Sequence, residues 1–358
     1  MCLSVSDNEW SLATLSTKLG GLGLRSVERH SPAGFLASQE SCHASCRKID
    51  NCYVWNPSDA QSDVFAAGHD YNIEVEPSDQ ITNTIPRQQH LSASLDKHQL
   101  LQLRERRRND CHYQAHLNHI GSSGASQWLH VLPSKALRTS VDPQLFRVMI
   151  QRQPRVPIFG CEFHCPQCDD VMDRFGDHCL VCSCGGDRTK RHNLIRNNVF
   201  QFCVSANLNP KLERPGLIQP RPLCGSSQEN GATADNNSNR RPADVYLPRW
   251  RRGGPAALDF IVTSGLGEDR VRRSSVDGSS AVCAYEDFKR TYMDIGAACQ
   301  AEGIAFIPVF CEADGGGWGP AAHKTWNELA KRKCLITGER EFTVAVQLLQ
   351  NLGLILHR

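Results

Sequence analysis

The densest chemistry in the chain lies between residues 161 and 184, where six cysteines and two histidines share one short window. Cys165-x2-Cys168 is followed after nine residues by His178 and after three more by Cys182. Two cysteines at that spacing sit on one tight turn and present both sulfurs to a single cation. A histidine and a cysteine from a later turn complete a tetrahedron, so the pattern predicts a closed, structural Zn²⁺ site. Cys161, His164, Cys179 and Cys184 stand close enough to compete, and Cys161 or Cys184 could replace one ligand. Buried free thiols are the alternative use of the same sulfurs.

A second group of residues suits a different cation. RPADVYLPRWRRGGPAALDFIVT places Asp244 at the start of one short apolar segment and Asp259 within the next, with turn residues between them. Paired as a hairpin, the two segments let both carboxylates converge on Mg²⁺, the arrangement that metal-assisted hydrolysis of a phosphodiester requires. Asp259 lies between Leu258 and Phe260, and a carboxylate in an apolar strand needs a partner. Asp244 could instead be a turn former, and a lone helical lysine is most often solvated. A lysine near the pair would stabilise the charge that develops in the transition state, and Lys289 is the candidate, with Tyr285 one turn before it and Tyr292 nearly one turn after. Glu213 in KLERPGL could add a further acid. Arg104, Arg106, Arg107 and Arg108 form one basic cluster, and Arg191, His192, Arg249, Arg251 and Arg252 are candidates to meet nucleic-acid phosphates, the last three beside the proposed site.

These residues need elements to hold them. Residues 50–94 are polar without a sustained period, which predicts a linker with little order. Leu95 to His119 has helical spacing and a basic face, and Asp142-Pro143 opens another amphipathic helix. RHNLIRNNVFQFCVSA predicts a helix after the cysteines, and the Gly/Asn-rich stretch from Cys224 predicts a loop. ADVYL and AALDFIVT should pair as a hairpin. A helix through AYEDFKRTYMDIGAACQAEG should end at Gly303, followed by the buried strand IAFIPVF and two helices, around Trp326 and from Glu339 to Leu356.

Composition narrows the class. With 358 residues and 40% hydrophobic content, the chain can bury at least one sizeable core. The 40 Lys and Arg nearly balance 38 Asp and Glu, so any nucleic-acid signal is local. Seventeen cysteines without an apolar signal segment favour a reducing, intracellular compartment. No run approaches the roughly 20 apolar residues needed to cross a bilayer, so no membrane partner is expected.

Taken in order, CPQC, GDHCLVC, CGGD, RHN, RPAD, LDF, the Tyr-x3-Lys helix and IPVFCEADGGGWG resemble the C-terminal region of non-LTR retrotransposon polyproteins that carry a restriction-like endonuclease. LGGLGLRS and GFLAS look like the helical region after the polymerase palm of such proteins. The resemblance covers residues 11–40 and 104–320. It implies an α+β fold: a zinc knuckle, a PD-(D/E)XK mixed sheet flanked by helices, and an α-helical N-terminal remnant. It further implies an enzyme that nicks DNA with Mg²⁺, with RNA a second possible ligand, working in the nucleus. Ala243 interrupts the first Pro-Asp pair and Ile261 stands where the family's lysine is expected, so the lysine must come from the helix. No Ala-Asp-Asp polymerase motif is present, because the only adjacent aspartates, Asp169 and Asp170, lie inside the zinc loop. The chain is therefore expected to be a truncated or remnant form without reverse transcriptase activity, and a catalytically inactive nucleic-acid-binding remnant is the alternative. The domain map that follows is 1–49 helical remnant, 50–94 linker, 95–160 helical connector, 161–192 zinc knuckle, 193–320 endonuclease core and 321–358 C-terminal helices.

Overall fold

Helix signals dominate the first third of the chain. In the computed structural model, which describes residues 5–82, 84–219 and 242–357, Ser6 and Glu9 form a capping box that starts α1 (Asp7–Thr14). α2 (Val27–Ile49), α3 (Asp63–Ile73) and α4 (Gln88–Arg106) follow. Ala33 and Leu36 of α2, Tyr71 of α3 and Leu91 and Leu95 of α4 close around one small core with Val75. These helices belong to a unit comprising Met1–Asp110 and Gln153–Val156.

The stretch 50–94 departs from the expected linker. Ser62 accepts a hydrogen bond from Phe65 N at 3.1 Å and caps α3, and Tyr71 and Val75 are almost fully buried. Its polar composition hid a helix whose burial depends on few apolar residues. The expected basic-faced helix across 95–119 is likewise two helices, since α4 ends at Arg106 and α5 (Cys111–Ile120) starts after a turn. The boundary between units falls at that turn, within the expected 95–160 connector.

The second unit comprises Cys111–Arg152 and Pro157–Arg358. α6 (Pro143–Arg152) starts where Asp142 Oδ1 accepts from Gln144 N and Leu145 N at 2.9 and 3.3 Å. A two-stranded hairpin, β1 (Phe163–His164) and β2 (Val171–Met172), leads to the short α7 (His178–Val181) and then α8 (Asp187–Ser205). The main sheet has the order β3 (Lys211–Leu212), β4 (Val245–Leu247), β5 (Ala256–Thr263), β6 (Ala305–Glu312). β3/β4 and β4/β5 are antiparallel, while β5/β6 is parallel, so the sheet is mixed. Between β5 and β6 run α9 (Val271–Val276), α10 (Ser280–Thr291) and α11 (Ile295–Ala301); α12 (Pro320–Thr337) and α13 (Glu341–Leu356) close the unit. The protein is thus of mixed α+β architecture. The loop expected from Cys224 lies outside the described residues.

Alternation along the strands divides the sheet into two faces. Val245, Leu247, Leu258, Phe260, Val309 and Cys311 pack with α8, α12 and α13 around Trp326. Tyr246 and Ala257 face the other way, onto Cys299 of α11 and Ile304. The helix expected to run to Gly303 breaks at Tyr292–Asp294, where Met293 and Asp294 both adopt positive φ, 52° and 53°. No helix among the described residues is long and apolar enough to cross a membrane.

Candidate active site and cysteine cluster

The cysteine cluster is built by a hairpin and one helical turn. Cys165 and Cys168 occupy the β1–β2 turn, closed by Cys165 N donating to Asp170 O at 2.7 Å and by Asp169 in the left-handed region at φ 61°. His178 and Cys182 bracket α7, whose start is held by Asp173 Oδ2 accepting from His178 N at 2.9 Å. The three sulfurs and the imidazole nitrogen all lie within 4.8 Å of one another. Cys168 Sγ stands 3.6 Å from Cys182 Sγ and 3.1 Å from His178 Nε2. Sulfurs bound tetrahedrally to zinc at about 2.3 Å would stand about 3.8 Å apart, so the set has the dimensions of a metal site. The backbone amide of Gln167 favours the Cys165 thiolate and lowers its pKa to about 7. The ligand alternatives narrow, because Cys161 and Cys184 are exposed and outside the group.

The carboxylates converge from separate elements. Val245 pairs with Leu258, and Asp244, directly before β4, donates its N–H to Leu258 O at 2.9 Å, so its charge lies close enough to Asp259 to act on it. Asp244 Oδ2 accepts from Phe260 N at 2.7 Å and lies 3.1 Å from His192 Nε2. Asp259 Oδ2 lies 3.0 Å from Lys289 Nζ, with the two side chains 21% and 25% exposed. Burial pushes the Asp259 carboxyl above its ordinary range; Lys289 opposes that shift and the nearby Asp244 charge adds to it. The Asp244 hydrogen bond is the main cause of a raised His192 pKa, against desolvation. The lysine thus reaches the second acid from α10, while the strand position two residues after Asp259 is Ile261.

α10 is anchored one turn ahead of Lys289. Tyr285 lies 5.2 Å from the Phe310 ring of β6, under the Arg270 guanidinium at 5.0 Å, and Arg270 also bonds Thr263 at the end of β5. Glu286 Oε1 accepts from Ala321 N at 3.1 Å and caps α12.

The remaining candidates disperse. Glu213 N donates to Asp244 O at 3.0 Å, but its carboxylate pairs with Arg196 of α8 and does not join the Asp259–Lys289 pair. Arg191 is half-buried, and burial lowers its pKa while Cys311, Asp187 and Glu312 act against that shift. His192, expected at nucleic acid, touches Asp244. Arg249, Arg251 and Arg252 are exposed, but their loop joins the far end of β4, where Leu247 pairs with Ala256. Asp259 lies three residue steps along β5 from that point, about 10 Å, and Arg251 donates to Lys324 O at 3.0 Å on α12. They are therefore not beside the carboxylates. In the first unit, Arg106 bonds Asn8 at 3.3 Å, Arg107 stands 3.8 Å from Asp110 and Arg108 pairs with Glu105 at 3.1 Å.

Spacing reasoning missed a buried network. His116 Nδ1 lies 2.7 Å from Asp314 Oδ2, Arg152 Nη2 donates to Asp314 Oδ1 at 2.8 Å, and His119 Nδ1 stands 3.6 Å from both Glu312 and Asp314. Burial raises the Glu312 carboxyl; burial acts in the same sense on Asp314, but His116, His119 and Arg152 hold it well below the usual range. A Cβ at Gly265 would come 2.5 Å from His119 Nε2, and one at Gly315 as close to the α5 backbone, so both positions require glycine. The i, i+3 histidines in HYQAHLNH were the available signal.

Among protein-family models and curated proteins, none matches the chain.

Proposed function

We propose that the second unit is a Mg²⁺-dependent DNA endonuclease of the restriction-like type, stabilised by structural zinc and derived from a retrotransposon protein. The observation that carries this reading is the Asp259–Lys289 pair at 3.0 Å, with the Asp244 charge near enough to act on Asp259. A buried acid, a second acid and a cation on one partly exposed point form the set that phosphodiester hydrolysis needs. Asp244 and Asp259 would hold Mg²⁺, which when bound would supply Lewis-acid activation of water and offset charge on the phosphate oxygens. Phe260 N fixes the Asp244 carboxylate through Oδ2, and Lys289 brings positive charge to the position where phosphate charge develops. The order of motifs that resembles restriction-like retrotransposon endonucleases supports the same assignment, and a nuclear site of action would follow from it.

Cys165, Cys168, His178 and Cys182 would hold Zn²⁺, which contributes folding energy to a segment with little apolar core of its own. Plasmid nicking tests the proposal. Purified protein with Mg²⁺ should convert supercoiled DNA to open circle, and Asp244→Ala and Asp259→Ala should not; equal activity in either variant sinks it. Steeply salt-dependent DNA binding without cleavage under any divalent cation would instead identify an inactive nucleic-acid-binding remnant.

A further inference from the structure

The exposed aromatic edge of α10 has no role in the chemistry above. Tyr285, Phe288 and Tyr292 form a continuous ladder, with ring centroids 5.9 Å apart between the first pair and 5.2 Å between the second. Its inner end is anchored, since Tyr285 packs on Phe310. Its outer end is open to solvent: Phe288 is 50% exposed, Tyr292 38% and Met293 50%. Large apolar side chains grouped at a surface commonly mark a binding site. Here the group adjoins charge, because Lys289 Nζ is 5.9 Å from the Tyr292 ring centre while bonded to Asp259. One lysine therefore links the carboxylate site to the ladder.

The backbone supports the same exposure. α10 ends at Thr291 with Tyr292 as its cap, and the consecutive positive-φ residues Met293 and Asp294 follow at once, a conformation that costs of order 1 kcal/mol for each non-glycine residue. Had the helix continued, Met293 would have followed the helical spiral. The kink instead leaves Met293 half-exposed.

From these contacts we infer that Phe288 and Tyr292 form a stacking platform for unpaired bases of the DNA strand whose phosphate lies at the carboxylates. This inference rests on the nuclease reading and specifies its substrate: a strand locally single-stranded at the site rather than intact duplex. A cation beside stacked rings suits that ligand. Every base presents a π-face, and backbone phosphates seek the positive charge that Lys289 and Arg270 place along the ladder. Bases held within a duplex cannot reach a ring without unstacking, so paired DNA gains little from the platform.

The test separates stacking from cleavage. Full-length protein is titrated in Ca²⁺ against oligonucleotides carrying 2-aminopurine, either single-stranded or in duplex, and with RNA of the same sequence. Wild-type protein should change 2-aminopurine fluorescence on the single strand, and Phe288→Ala and Tyr292→Ala should weaken single-strand binding about 5- to 150-fold while leaving duplex binding within twofold. Tyr292→Phe, which keeps the ring, should restore wild-type affinity. Equal losses on both DNAs, or unchanged single-strand affinity and fluorescence in the alanine variants, would overturn the inference. So would failure of Tyr292→Phe to restore binding, and preferential capture of RNA would overturn the choice of DNA. Plasmid nicking read in parallel keeps the two ideas apart: nicking that persists without an aromatic effect defeats the platform alone, and stacking in a protein that never cleaves defeats the nuclease reading alone.

Discussion

The cysteine cluster and the carboxylate site are both groups of cation-seeking side chains, yet they are assembled in opposite ways. All four side chains of the cluster come from the span Cys165 to Cys182, on one hairpin and the turn that follows. The carboxylate site draws His192 from α8, Asp244 from the start of β4, Asp259 from β5 and Lys289 from α10. The cluster is therefore a local device, four side chains that could hold one ion, with all four tetrahedral positions supplied by the chain. The carboxylate site exists only when the sheet and two helices have formed, and it stays partly open. A site that supports a fold can be short-range; one that acts on a substrate must be held by the fold.

The sharpest way to break this comparison is to remove the zinc proposed for the cluster. Zinc binding to such clusters is worth about 10–16 kcal/mol in isolated peptides. Chelation or Cys168→Ser is expected to release stoichiometric zinc and expose residues 161–186 to protease. α8 starts at Asp187, so DNA nicking should also fall as His192 loses its support. Metal analysis paired with limited proteolysis checks the first effect. Full protection of the segment in the metal-free protein would show that the cluster does not hold the fold.

The next effect belongs to the carboxylate site alone. Asp259→Asn should reduce nicking on the order of 10²- to 10³-fold or more, as for loss of a preorganised charge, while its Tm holds or rises, because burial makes the ionised Asp259 costly. A Tm drop of several degrees together with the lost nicking would make Asp259 a structural residue. Trp326→Ala should behave in the opposite sense. This side chain is 1% exposed at the centre of the main core, and its loss should cost about 3–5 kcal/mol of unfolding free energy in urea, with nicking per folded molecule unchanged under native conditions.

How legible each region was follows from its range. The Cys-x2-Cys and His-x3-Cys spacings map directly onto two turns, so the ligand group could be read from order alone. The β4–β5 hairpin was also readable, since its apolar runs are short and flanked by turn residues. Lys289 was legible only as a lysine on one face of a helix; that α10 brings it onto Asp259 depends on Tyr285 reaching Phe310 across the sheet. The contact of His192 with Asp244 was not legible, because nothing local to RHN points to a residue 52 positions away. The hairpin arginines were misplaced because nearness in sequence was taken for nearness in space, whereas the strand carries them to the opposite end. In the first unit, α3 hid in a polar stretch because its burial comes from partners on α2 and α4.

The smallest expected effect concerns pH and lies away from both sites. Burial, with Arg152 adding to it, lowers the His357 pKa to about 4. An unfolded imidazole binds its proton near pH 6.5, so the stability contributed by the neutral ring is present above that pH and lost as pH falls toward 4. Unfolding free energy should decline across that window in wild-type protein and decline less in His357→Gln. Identical profiles in the two proteins would remove His357 from the account.

The pairing of His116 with Asp314 also sets a schedule. The two residues are 198 positions apart, so at a synthesis rate of about 5–20 residues per second the imidazoles of α5 wait roughly 10–40 s for their carboxylates to emerge. During that interval the cysteine hairpin, complete by Cys182, can already close on a metal. The α5 imidazole of His116 can therefore meet Asp314 only after the whole Cys165–Cys182 span has been made.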